Sequence, residues 1–136
     1  MEQPLFELIQ KIVKKCIETE NKIRDEFNLT LDEYNGILVI EPDHKIPSQT
    51  FSKKMELSPS RGSRVIDRLL KKGYISVETV INDRRSLAIS MTAKGHNVKI
   101  KIKQRMDECE KRIFSSVTPQ QESELRKALT LLADIL

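Results

Sequence analysis

Apolar residues recur at helical spacing along most of the chain. Leu5, Leu8, Ile9, Ile12, Val13, Cys16, Ile17, Ile23 and Phe27, with Lys and Glu between them, predict a long amphipathic helix over residues 4–27. Such a stripe faces either the chain's own core or a second subunit, and spacing alone does not separate the two. Thr30 followed by Glu33 forms a capping-box signature, and Leu31, Tyr34, Ile37, Leu38 and Ile40 continue as a second helix that must end before Pro42. Residues 43–47 read as a loop, Ser48 opens a short third helix through Phe51 and Met55, and residues 56–58 are a turn. Glu56 stands where such turns often carry glycine.

Ser58 and Pro59 then mark a helix start, and Gly73 its stop. Projected at 100° per residue, Gly62, Val65, Ile66, Leu69 and Leu70 gather on one side. Ser60, Ser63, Arg64, Asp67, Arg68 and Lys71 gather on the other. One face packs and the other presents cations, as a helix lying in a DNA major groove requires. After Gly73 the period drops to two. Ile75, Val77, Thr79 and Ile81, a turn at Asn82 and Asp83, and Leu87, Ile89 and Met91 predict a β-hairpin with Arg84 and Arg85 near its tip.

The stretch from residue 92 to 117 carries two patterns. Val98, Ile100 and Ile102 alternate with Lys99, Lys101 and Lys103 as in an edge strand, whereas Val98, Ile102, Met106, Cys109, Ile113 and Val117 keep helical spacing without a breaker. The longer pattern predicts a helix. Thr118, Pro119 and Gln121 open the last one, which Leu125, Ala128, Leu129, Leu132 and Ile135 carry to the end. The expected fold class is mainly α with a small β-hairpin wing.

Charge sharpens this reading. The net charge of +4 says little, but from Lys53 to Lys103 there are 13 Lys or Arg against 4 Asp or Glu, while both flanking segments are slightly acidic. Basicity concentrated on a helix-turn-helix and its hairpin points to a polyanionic partner. Aromatics make up 4% of the chain and Trp is absent, which argues against base stacking as the binding mode. No glycine-rich phosphate loop, nucleophile elbow or HExxH motif is present, so an enzyme is not expected. Cys16 and Cys109 lie far apart in helical stretches and read as buried apolar thiols, and two histidines supply no metal-site spacing. No cleavable leader or membrane-length apolar run is evident, so a cytoplasmic protein is expected.

The segments LSPSRGSRVIDRLLKKGYI at 57–75 and NDRRSLAISMTAKG at 82–95 resemble the recognition helix and wing of MarR-family transcriptional regulators, and TLDEYNGILVI resembles the family's second helix more loosely. The resemblance implies a winged helix-turn-helix over residues 29–95, with a wing at about 75–91. It also implies that residues 1–28 and 96–136 are dimerisation helices. Ser60 and Arg64 map to positions that approach base edges, with Arg61 on the flank and Arg68 placed for phosphate. Ser58 and Ser63 complete the helix's share of the site, and Asp83, Arg84 and Arg85 form the wing's. The implied function is a homodimeric regulator on a pseudo-palindromic double-stranded operator, released by a small-molecule effector or an oxidant, with Cys16 the candidate for a redox role. The alternative is a winged-helix module whose basic face meets an acidic protein. Gly62 departs from the family, where a larger residue is common. Phe51 is expected to fill the space that Gly62 leaves.

Overall fold

The computed structural model describes residues 2–80 and 83–136, with the backbone alone for residues 83–86. Among them the order is α1 (Leu5–Phe27), α2 (Leu31–Val39), β1 (Ile46–Pro47), α3 (Ser48–Lys54), α4 (Pro59–Lys71), β2 (Ile75–Val80), β3 (Asp83–Met91), α5 (Ala93–Ser115) and α6 (Pro119–Ile135). The chain divides into two compact units, Met1–Ile100 and Lys101–Leu136.

The helix starts follow from local chemistry. Thr30 and Thr118 both close full capping boxes, with Glu33 and Gln121 as their reciprocal partners, and the Ser58 hydroxyl accepts the Arg61 N–H ahead of Pro59. Three helix ends share another motif. After α1, α3 and α4 the chain turns left-handed at Asn28, Glu56 and Gly73, so the next N–H reaches back to Arg24, Ser52 and Leu69 respectively. Glu56, at φ 55°, therefore does occupy the glycine-like position of the helix-turn-helix turn, and two backbone bonds hold it there.

The core of the first unit is built from Ile37, Ile40, Phe51, Val65, Leu69, Ile75 and Ile89, all buried. Leu70 is not part of it: 39% exposed, it lies beyond the packed stripe of α4. The sheet also differs from the expected two-stranded hairpin. Residues 46–47, expected as loop, pair with β3 (Ile46 with Ile89, Pro47 with Ala88), giving three antiparallel strands in the order β1-β3-β2. Two residues with one alternation carry no periodicity, so β1 is visible only once β3 lies beside it. Ile75 to Thr79 pair regularly with Leu87 to Met91, and the register shifts beyond Thr79. Ile81 and Asn82, the expected strand end and turn, lie outside the described residues.

Two glycines set how closely helices approach. A Cβ on Gly62 would fall inside van der Waals distance of the Ser52 hydroxyl and 2.8 Å from its Cβ. Close packing at Gly62 is therefore present, but its partner is Ser52. Phe51 instead points at Gly36, where an added Cβ would lie 3.2 Å from the ring. Adjacent residues of α3 point in different directions, which brings Ser52 rather than Phe51 against α4. Gly62→Ala is expected to lower stability by about 1 kcal/mol, because overpacking of about 1–3 kcal/mol exceeds the roughly 1 kcal/mol gained in helix propensity. A rise in melting temperature would refute the close approach.

Lys99 departs from its neighbours. Lys101 and Lys103 are exposed, but Lys99 is buried, and its ammonium donates to the carbonyls of Leu38 (3.1 Å) and Ile40 (2.6 Å). It thus satisfies backbone groups that the end of α2 leaves open.

In the second unit α6 buries none of its residues. Arg126 joins the segments on either side of the 116–118 turn, pairing with Glu110 at 3.3 Å and lying 4.9 Å over the Phe114 ring.

Candidate nucleic-acid interface

The exposed side of α4 carries every helix residue expected in the site: Ser60, Arg61, Ser63, Arg64 and Arg68 are all exposed, as is the N-cap Ser58. Burial of Gly62, Val65, Ile66 and Leu69 on the opposite side holds them outward. Their surroundings differ. Arg61 lies 3.9 Å from the Asp32 carboxylate, so part of its charge is already answered. Asp67 pairs with Lys71 at 3.0 Å. Arg64 and Arg68 have no carboxylate partner among the described residues. Among the described residues the face thus presents two guanidinium groups that no carboxylate answers, and guanidinium is the side chain best shaped for phosphate or a guanine edge. Ser58 is committed to its cap, with its hydroxyl also 3.3 Å from that of Ser60.

The α3 helix flanks this face. A cleft of about 450 Å³ between α3 and α4 is lined by Ser48, Gln49, Ser52, Lys53, Leu57, Pro59 and Ser63. Gln49 and Lys53 are exposed there beside Ser63. Sequence reading did not single them out, because α3 is too short for its periodicity to define an outer face.

The strands are tied to the same scaffold. The Leu87 N–H donates to the Ser48 hydroxyl at the start of α3 (3.2 Å), and Lys45 pairs with Glu78 of β2 at 3.0 Å. The side chains of Asp83, Arg84 and Arg85, the wing's part of the expected site, lie outside the described residues.

Other expectations change. Cys16 is exposed on α1, not buried, and Cys109 is half-buried with its sulfur 3.1 Å from the Arg112 guanidinium. Their spacing fits a helical stripe, but in this chain much of the α1 stripe is open: Leu5 is 66% and Ile17 52% exposed. Among the described residues no cluster of His, Cys, Asp and Glu could hold a metal ion, and no helix is long and apolar enough to cross a membrane.

A helix-turn-helix whose second helix presents cations, followed by strands fastened to its scaffold, defines a winged-helix DNA-binding protein. Residues 29–87 match the model of the MarR family. It is similar to the HTH-type transcriptional regulator SarZ of Staphylococcus saprophyticus, at 29% identity over 99 residues, 73% of this chain and 68% of that protein. It is also similar to the transcriptional repressor MprA of Escherichia coli K12, at 23% identity over 125 residues, 90% of this chain and 71% of that protein. Two solved variants of MepR from S. aureus share the fold at 15% identity. One has a TM-score of 0.86, covering 98% of this chain and all of that one. The other, bound to an oligodeoxyribonucleotide, has a TM-score of 0.76, covering 99% and 100%. The family-model match and these relatives support a DNA-binding transcriptional regulator.

Proposed function

We propose that this regulator reads a pseudo-palindromic operator as a homodimer, with Ser60 and Arg64 at base edges, Arg61 on the flank beside them and Arg68 on phosphate. The charges of Arg64 and Arg68, which no carboxylate among the described residues answers, carry this reading on an otherwise well-anchored α4. The wing residues Asp83, Arg84 and Arg85 complete the site, with one arginine in the minor groove. Residues 29–95 act as the DNA-binding part, and residues 1–28 and 96–136 as the dimerisation helices. Support for pairing comes from the apolar residues that α1 and α6 leave in water, among them Leu5, Phe6, Val13, Leu129 and Ile135. Two recognition helices would then enter grooves about 34 Å apart. A small molecule or oxidant that binds the two states of the dimer unequally would release it from the operator. The repressor named among its relatives favours repression as the outcome.

Selection of genomic fragments by the purified chain tests this reading. It should return an enriched inverted repeat. Recovery of unrelated sequences would favour a basic face that meets an acidic protein. On the selected duplex, Arg64→Ala should cost about 1–3 kcal/mol and relax preference at one base pair in each half-site. Arg68→Ala should instead weaken selected and random duplexes alike and reduce the salt slope by about one. Equal losses of base preference in the two variants would contradict the assignment of roles.

A further inference from the structure

The end of α4 is gripped from two sides. Lys72, the residue that closes the helix, sends its ammonium to the Glu33 carboxylate at 2.6 Å and to the Asn28 carbonyl at 2.8 Å. Glu33 is almost completely buried, with a side chain 2% exposed, and its other oxygen accepts the Thr30 N–H as part of the α2 capping box. One lysine therefore joins the end of α4 to the corner between α1 and α2.

The first turn of α5 holds the opposite side. Lys94 donates to the Lys72 carbonyl at 2.8 Å, the Thr92 hydroxyl donates to the Gly73 carbonyl at 2.6 Å, and the Thr92 N–H donates to the Tyr74 carbonyl at 3.1 Å. The Lys94 ammonium also lies 5.1 Å from the centre of the Tyr74 ring. Gly95 packs so closely on the Tyr74 carbonyl that no side chain fits between them. Three successive carbonyls, those of residues 72–74, are thus held by residues of one helical turn.

These bonds exceed what ending a helix requires. The left-handed Gly73 already ends α4, with the Gly73 and Tyr74 N–H groups returning to Leu70 and Leu69. The added side-chain contacts instead fix the direction of the helix axis relative to α2 and the root of α5. The exposed arginines of α4 can read bases only if that direction is held, because an interaction that depends on geometry is lost with a displacement of about 1 Å.

We infer that Lys72 is a positioning residue for DNA reading. Through Glu33 and Asn28 on one side and Lys94 on the other, it sets the angle at which α4 is presented. It does so without touching DNA, and the inference rests on α4 being the reading helix. Loss of the grip should reduce discrimination between sequences while leaving attraction to any duplex intact, since charge attraction tolerates reorientation and base contacts do not.

The experiment uses the full chain, the duplex recovered by genomic selection, and a shuffled duplex of equal length and composition. The double variant Glu33→Gln/Lys72→Met removes the ion pair without leaving a buried charge and leaves the net charge unchanged. Its preference for the selected duplex should fall about tenfold, the scale of one lost base contact, while affinity for the shuffled duplex stays within about twofold. Lys94→Met, at an exposed position, should shift the preference in the same direction with little change in melting temperature. Without DNA, amide exchange over residues 68–74 should quicken in both variants, and Lys72→Arg should restore both readouts. Preference within about twofold of wild type in the double variant would overturn the inference. If the double variant does not fold, the same result in Lys94→Met would do so. If the wild-type chain shows no preference, the operator reading fails by itself, and the exchange comparison decides the positioning role: unchanged exchange overturns it.

Discussion

Replacing Gly95 with alanine is expected to lower the free energy of unfolding by about 2–4 kcal/mol. The added Cβ would fall well inside contact distance of the Tyr74 carbonyl oxygen, 2.9 Å from its carbon and 3.1 Å from Met91 Cγ. The obstacle is backbone at the start of β2, which cannot rotate away as a side chain would. Either α5 lifts or the 72–74 turn moves, and both strain the Thr92 bonds to Gly73 and Tyr74. Each bond contributes about 1 kcal/mol, and overpacking adds about 1–3 kcal/mol. Alanine's better helix propensity returns only about 1 kcal/mol. Urea unfolding checks this directly. A variant with a wild-type midpoint would mean that α5 does not approach the turn so closely. Gly62→Ala meets a serine side chain instead, which explains its smaller expected effect.

Lys72→Met is expected to cost about 3 kcal/mol at neutral pH, near the lower end for breaking a buried pair. The Lys72 side chain is one-third exposed, and Thr30 still donates to the carboxylate, so the orphaned Glu33 is not wholly without support. The pH dependence gives the loss a signature. Burial pushes the Glu33 carboxyl upward, but the bonds from Lys72 and Thr30 together outweigh it and hold its pKa below the ordinary 4.5. The folded chain thus binds this proton more weakly than the unfolded chain does. The pair's stabilisation is complete above the ordinary carboxylate range and is lost as pH falls through the lowered folded value. In the variant, burial without the ammonium should raise the Glu33 pKa. The gap between wild type and variant should therefore be widest near neutrality and narrow on acidification. Urea midpoints at about pH 7 and about pH 4 measure it. A gap of equal size at both would show that Lys72 acts through its packing alone.

The same pair shows where sequence reading stops. Thr30 and Glu33 are legible as a capping box because both partners lie within one helical turn. That Glu33 also receives Lys72 is not legible, since nothing near either residue marks the other. Lys99 is a sharper case. Its neighbours share its type and spacing, and only the carbonyl ends of α2 distinguish it. The mixture of alternating and helical patterns around it nevertheless resolves as the continuous helix α5, because the longer pattern describes more of the segment.

For the candidate site the division is similar. The outward face of α4 follows from its own periodicity, and Arg64 and Arg68 stand where that periodicity puts them. The partial neutralisation of Arg61 by Asp32 does not, because it depends on how α2 lies against α4. Gln49 and Lys53 were likewise hidden until the cleft between α3 and α4 was formed.

What the sequence by itself determined are the features whose causes lie within a few residues: the caps at Thr30, Ser58 and Thr118, the stop at Gly73, the change of period into β2, and the cationic face of α4. The tertiary structure alone decided which contacts hold that face in place. Among these are the pairing of β1 with β3, Ser52 against Gly62, Gly95 against Tyr74, and Lys72 reaching Glu33. The physical reason is range. Capping and periodicity act through neighbouring backbone groups, whereas close approach and ion pairing depend on elements that meet only after the chain has folded.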